Sequence, residues 1–226
     1  MGERIINYLK YIFNAVISVI YFNDGKCAVC KTETYDDKNL CIDCFNKIKF
    51  CYDSSFIEKS KISFEVYCLA YYSSVIREMI IRLKYRKDFM CGEVLAGLMY
   101  DVIQRNAIQF DEISFVPMIK EDLARRGFNQ SKFLAMKICE KCNKPLSDYI
   151  KKCVKTKDQI GLTDEMRWNN LQKTFAFAGK NKIENKIILL IDDVFTTGAT
   201  SFFCSRELIN NGAKKVIVLT AAKSSI

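Results

Sequence analysis

The order of apolar segments along this chain predicts an α/β fold, a mostly parallel sheet flanked by helices with a small cysteine-rich module ahead of it. Three observations lead there. Strand-like and helix-like segments alternate from about residue 62 onward, the pattern of a parallel sheet. Residues 187–191 read IILLI, apolar without alternation, as a strand covered on both faces must be. Two C-x-x-C pairs, at 27–30 and 41–44, precede the first strand. The 226 residues have room for one sizeable α/β domain and a small appendage. Half of them are hydrophobic and only two are proline, which excludes a disordered chain.

Each element has its own reason. Within residues 1–24, Asn7, Lys10, Asn14 and Ser18 form a narrow polar stripe opposite Ile5, Leu9, Ile12, Val16 and Val19, the pattern of an amphipathic helix. The stretch is too short to span a bilayer, and no small-residue cleavage site follows it, so no transmembrane span is expected. Packing within the protein is its default, with a partner or a membrane surface as alternatives. Residues 62–72 are rich in β-branched and aromatic residues and predict a strand. Residues 75–85 and 89–104 predict helices, and 112–116 a strand ending at Pro117. Residues 118–125 and 129–142 predict two more helices, broken at Gly127. Strands at 187–191 and 216–220 flank a helix at 201–210.

The four thiols Cys27, Cys30, Cys41 and Cys44 form two tight knuckles with ten residues between them, the spacing of a zinc ribbon. Four thiolates close a tetrahedral shell, so a structural Zn²⁺ is expected, and its binding would supply folding energy that so short a segment lacks. Cys51 is the one substitute ligand nearby. Cys139 and Cys142 share the C-x-x-C form without a second pair, and a core role is expected of them. Eleven cysteines, an odd number, with no secretion signal suggest a reducing, cytoplasmic compartment.

The chemistry centres on residues 187–200, IILLIDDVFTTGAT. Asp192 and Asp193 follow the apolar run directly, and Thr196, Thr197, Gly198, Ala199 and Thr200 form a turn into a helix. Backbone N–H groups and hydroxyls of such a turn converge where a helix N-terminus favours an anion. An anion cradle beside paired carboxylates suits a ribose phosphate, whose two hydroxyls donate to the acids. A plain strand–turn–helix with a threonine cap would explain the threonines and the glycine but not two adjacent acids at the carboxyl end of a buried strand. The chain carries a formal charge of +9, and residues 117–157 alone carry +7, a balance that suits polyanionic ligands. The polar, basic stretch 151–170 lies between strand-like segments, and a long loop inside a compact domain is often a lid.

With the thiol knuckles, three motifs make the chain resemble the competence-protein-F family, relatives of the type I phosphoribosyltransferases. The residues that carry the resemblance are the four cysteines, Leu83-Lys84-Tyr85, Val116-Pro117, Arg125-Arg126-Gly127-Phe128-Asn129-Gln130, Thr156 with Gln159, Arg167 with Asn170 and Phe175, and the loop 192–200. The resemblance implies a type I phosphoribosyltransferase-like sheet over 53–226, a zinc ribbon over 25–52 and the amphipathic helix over 1–24. It implies that Asp192 and Asp193 hold the ribose hydroxyls of phosphoribosyl pyrophosphate (PRPP). Val194, Phe195, Thr196, Thr197, Gly198, Ala199 and Thr200 would surround the 5′-phosphate, and Pro117 and Arg126 would approach the pyrophosphate. Lys155 would close over the site with the lid. Relatives usually carry an arginine two residues before the lid threonine, where this chain has Val154; Lys151, Lys152 and Lys155 are the nearby charges.

Two functions follow from the resemblance. In one, PRPP with Mg²⁺ binds at the sheet edge and the phosphoribosyl group passes to an unknown nucleophile with release of pyrophosphate, a pentosyl transfer linked to nucleoside metabolism. In the other, a catalytically weak binding module acts in DNA uptake and natural competence, with single-stranded DNA or a helicase-type competence protein as partner. Nothing in the residues identifies the acceptor or the oligomeric state.

Overall fold

The computed structural model describes residues 25–34, 39–59, 62–154 and 174–224. The expected amphipathic helix at 1–24 and most of the expected lid, with Lys155, Thr156, Gln159, Arg167 and Asn170, lie outside the described residues.

The described chain opens with the cysteine turns and a short helix α1 (Ile42–Asn46). Strands β1 (Ser55–Lys59) and β2 (Ile62–Tyr71) follow, then helices α2 (Ser74–Arg86) and α3 (Phe89–Arg105). Strand β3 (Glu112–Phe115) leads to α4 (Lys120–Arg126) and α5 (Gln130–Cys142). A hairpin of β4 (Ile150–Lys152) and β5 (Phe175–Phe177) comes next, then β6 (Ile187–Phe195), α6 (Ala199–Asn210) and β7 (Lys215–Lys223). The main sheet runs β1-β2-β7-β6-β3, parallel throughout except for the antiparallel edge strand β1. The expected parallel sheet flanked by helices is therefore present.

Its central strands are covered on both faces, as their unbroken apolar runs require. Leu189 and Ile191 of β6 join one core cluster, with Leu83, Leu95, Met99, Leu134 and Ile138 from α2, α3 and α5. Ile188 and Leu190, pointing the other way, join a second cluster with Phe202, Phe203, Cys204 and Leu208 of α6 and with Ile150 and Phe175 of the hairpin. The cysteine module is not set apart from this core. Cys27, Ala28, Leu40, Cys44 and Ile48 pack into the first cluster.

One strand is longer than its apolar run. Strand β6 continues past Ile191 through both acids to Phe195, because its parallel ladder with β7 continues to the pair Phe195↔Lys223. The acids are thus held by a regular ladder rather than by a loop. The basic stretch after residue 151 joins the two strands of an antiparallel hairpin, with Ile150 opposite Phe177 and the Cys153 amide donating to the Thr174 carbonyl at 2.7 Å.

The connections reverse direction between β3 and β6. After β3 the chain packs α5 on the first face and then passes outside β3, where Leu146 bridges to Ile113 in parallel. After β6 it packs α6 on the second face and pairs β7 on the opposite side. Strand ends that diverge in this way leave a crevice at their carboxyl edge, the usual ligand position in open α/β sheets.

Candidate functional site

Residues from four separate segments, β6, α2, α4 and α5, meet around one pair of acids. Asp192 and Asp193, at the end of β6, are 8% and 7% exposed, so each needs partners to carry charge. The Ser131 hydroxyl donates to Oδ1 of Asp192 at 2.9 Å, and the Asp193 amide donates to the same oxygen at 2.9 Å. The Gln130 side-chain amide donates to Oδ2 of Asp193 at 2.8 Å, and the Lys84 ammonium from α2 lies 2.7 Å from that oxygen. Arg126 in turn donates to Oε1 of Gln130 at 2.8 Å and stacks over the exposed ring of Tyr85. Both bonds to Asp192 thus fall on Oδ1, and both side-chain bonds to Asp193 fall on Oδ2.

The two acids differ electrostatically. Burial raises the Asp192 carboxyl above the usual carboxylate range, and the charge on Asp193 raises it further. Burial acts on Asp193 as well, but Lys84 and the Gln130 amide outweigh it and hold that carboxyl low. Asp193 is therefore the ionised member of the pair and Asp192 the one that takes a proton more readily.

Local structure explains how α5 reaches the acids. Gly127, at φ +85°, ends α4 in a left-handed turn that a side chain would disfavour. Asn129 then caps α5, its carbonyl oxygen accepting from the Lys132 amide at 3.1 Å. The Asn129 amide group also donates to the Val116 carbonyl at 3.0 Å, fixing the segment that leads into Pro117. With α5 started there, Gln130 and Ser131 in its first turn face β6. Pro117 lies just beyond β3, whose ladder is extended by the Val116 amide donating to Ile191.

The Thr/Gly turn is compact. Gly198, at φ +77°, is the cap residue of α6, and no side chain caps the helix from that position. Thr197 Oγ1 reaches the Ala199 amide only at 3.5 Å. Ala199 and Thr200 already belong to the first helical turn, where free N–H groups suit an anion. Thus Asp192, Asp193, Val194 and Phe195 end β6 and lead into the 196–200 turn, Arg126 reaches Asp193 through Gln130, and Pro117 follows β3 beside that strand end, while Lys155 lies outside the described residues. Lys84 and Gln130 stand in motifs that carry the resemblance but have no expected role, and Ser131 stands in none. Their signal was weak, since nothing in a lysine on a helix says that it meets an acid more than a hundred positions away.

The four expected thiols also meet. The sulfurs of Cys27, Cys30, Cys41 and Cys44 all lie within 4.8 Å of one another, and those of Cys30 and Cys41 are 3.5 Å apart. A tetrahedral zinc–thiolate shell places its sulfurs about 3.8 Å apart, given bonds of about 2.3 Å. The cluster can therefore hold a metal ion such as zinc. The hydroxyl and backbone of Thr32 hold the Cys30 thiol down to about 6, which favours the ligating thiolate. Cys51 stands apart from the four thiols beside β2, its amide donating to the Leu69 carbonyl at 3.0 Å and its side chain in the second core cluster. Cys139 and Cys142 sit half-buried on α5 against the first core cluster, as expected of core residues.

Sheet, acid pair and thiol cluster together define an α/β protein with buried paired acids at a topological switch point and a four-thiol cluster able to hold a metal ion. No protein-family model matches the chain. Among curated proteins it is 26% identical to competence protein F of Haemophilus influenzae, over 90% of this chain and 99% of that protein. It is 27% identical to the DNA utilization protein YhgH of Escherichia coli K12, over 86% of this chain and 88% of that one. It is 28% identical to competence protein ComFC of Bacillus subtilis, over 62% of this chain and 56% of that one. The chain is a homologue of these competence and DNA-utilization proteins. Similar solved structures include a glutamine PRPP amidotransferase from Bacillus subtilis, 20% identical with a TM-score of 0.40, covering 57% of this chain and 26% of that one. A hypoxanthine phosphoribosyltransferase from Staphylococcus aureus is 15% identical with a TM-score of 0.37, covering 57% of this chain and 62% of that one. The chain thus spans about a quarter of the length of that amidotransferase.

Proposed function

We propose that this protein binds PRPP with Mg²⁺ in the crevice between β3 and β6 and transfers the phosphoribosyl group to a nucleophile, in the service of DNA uptake or use. The observation that carries the reading is the pair of buried acids followed after two residues by a Thr/Gly turn whose cap residue, Gly198, brings no side chain to the start of α6. Ribose hydroxyls would donate to Asp192 and Asp193, while the 5′-phosphate would accept from the first-turn amides of α6 and from Thr196, Thr197 and Thr200. Pro117 and Arg126 flank the side toward β3, where pyrophosphate would lie. Mg²⁺, a hard cation suited to phosphate oxygens, would neutralise the pyrophosphate as it leaves. The chain's own part is positional and electrostatic: it holds the ribose by fixed acceptors that can also favour developing positive charge at C1. Zinc at the four thiols would be structural, since a closed thiolate shell leaves no position for a substrate.

A second reading, a binding module without turnover, is favoured by one observation. A groove of about 710 Å³ carries the half-buried rings of Phe128 and Phe133, with Lys132, Lys151 and Lys152 and the acids Glu121 and Asp148 around them. Aromatic faces among cations suit single-stranded nucleic acid.

Calorimetry with PRPP–Mg²⁺, paired with an assay of pyrophosphate release, separates the two. We expect binding by the wild type and a loss of about tenfold or more in Asp192→Asn, whose amide oxygen still accepts from Ser131 while its NH₂ group turns an acceptor into a donor. Absence of binding by the wild type sinks the proposal. Binding without pyrophosphate release across a panel of bases, amines and oligonucleotides favours the module.

A further inference from the structure

We propose that the last turn of α2 couples the metal knuckle to the acid pair, with Arg82 as the positioning residue that links them. The inference rests on the PRPP reading for its ligand and on geometry for its path. Arg82 is only 9% exposed. Its Nη1 donates to the Val29 carbonyl at 3.1 Å, and Val29 lies between Cys27 and Cys30. The guanidinium therefore grips the first metal-binding turn itself. Its Nη2 pairs with the carboxylate of Asp88, which also caps α3 by accepting from the Cys91 amide at 3.2 Å. The turn on the other side of this grip has no room to drift, since Cys27, Ala28 and Cys91 are fully buried.

Lys84 stands two residues beyond Arg82. At about 100° per residue the two side chains leave the helix about 200° apart, on nearly opposite faces. One face holds the knuckle and the other holds Asp193. Leu83, between them, is 1% exposed and anchored in the core. The helix end is locked as well: Lys87 takes a left-handed conformation, and the Asp88 amide donates to the Arg82 carbonyl at 3.2 Å. A rigid turn fixed at both faces moves as a unit. A displaced knuckle shifts Lys84, and a ligand that reorders Asp193 pulls on the knuckle. Arginine suits this role because its rigid planar fork presents Nη1 to the carbonyl and Nη2 to the carboxylate in one fixed geometry, which the compact, freely rotating ammonium of a lysine does not reproduce.

Coupling of this kind is reciprocal. Zinc affinity is measured on the full chain by competition with a chromophoric zinc chelator, with and without saturating PRPP–Mg²⁺. PRPP affinity is measured by calorimetry with zinc loaded and stripped. The expected result is that each ligand tightens the other by the same factor, about fivefold or more. Arg82→Lys keeps the charge and the helix but loses the two-pronged grip; it should bind both ligands with the coupling largely gone. Unchanged zinc affinity at saturating PRPP–Mg²⁺, or full coupling in Arg82→Lys, overturns the proposal. So does a loss of helix by circular dichroism, when zinc is stripped, larger than the five residues of α1 account for, since the coupling would then run through global unfolding. If the wild type does not bind PRPP, the functional reading fails on its own, and amide hydrogen exchange at residues 191–196 tests the path instead. Faster exchange there on zinc removal, absent in Arg82→Lys, supports the coupling, and equal exchange overturns it.

Discussion

Asp193 is ionised in the crevice because Lys84 and Gln130 both address its Oδ2, whereas Asp192 has only a hydroxyl and one amide as donors. Two residues of one type thus differ through their neighbours alone. The choice of Asp192→Asn over Asp193→Asn follows, since the latter would strand the buried Lys84 ammonium without its partner. A second residue that tests the site is Gly198. A Cβ there would meet Cζ of Phe195 at 2.9 Å, and the backbone is left-handed at φ +77°. Gly198→Ala should lower stability by about 1–2 kcal/mol in urea unfolding, with weakened PRPP binding because the cradle turn must shift. Equal unfolding midpoints and equal affinity would show that the turn tolerates a side chain.

Among the elements, α5 does most to assemble the crevice, and its start is set by Asn129. That residue caps the helix with one end of its side chain and holds the Val116 carbonyl with the other. Asn129→Ala should cost about 1–2 kcal/mol of stability, with a further loss of PRPP affinity as Gln130 and Ser131 lose their fixed register. Denaturant titration and calorimetry on the same preparation check both, and a stability loss with unchanged affinity would mean that α5 is held by its packing alone. Much at this scale was legible in sequence. The apolar periods of 89–104 and 129–142 matched α3 and α5 within a residue or so at each end. Strands β1, β4 and β5 were not legible, because each is short and is an edge or hairpin strand whose pairing partner alone makes it a strand.

The whole molecule has two ends with separate work. At the amino edge of the sheet, away from the crevice, buried Glu112 accepts from Lys186, Tyr149 and Ser147. Burial alone would raise its carboxyl, but the bonds from these three side chains outweigh burial and hold it below the ordinary glutamate range. A depressed native value means that the contribution is fully present above the unfolded value of about 4.3 and is lost as pH falls through the lower folded one. Glu112→Gln should therefore cost about 1–3 kcal/mol near pH 7, with the difference from wild type shrinking toward acid. Urea midpoints across pH measure this, and a difference that persists unchanged in acid contradicts it. At the other end, elemental analysis should find about one zinc per chain, bound through the four thiols. Protein that carries no zinc yet protects residues 25–34 and 39–52 from exchange would remove the metal from the account. Among the described residues no helix is long and apolar enough to cross a membrane.

Sequence by itself determined the parallel α/β plan, the four-thiol cluster, and the acid pair with its glycine turn, because each is written in local spacing: apolar runs, doubled C-x-x-C, and adjacent carboxylates. What only the tertiary structure decided is which distant groups those motifs face. Lys84 and Asp193 are 2.7 Å apart across more than a hundred positions, and Arg82 meets a carbonyl of the first knuckle from another helix. No local pattern encodes such meetings. They arise when helices pack against a sheet, and the different charge states of two neighbouring aspartates are set only there, by burial and by which cation reaches which oxygen.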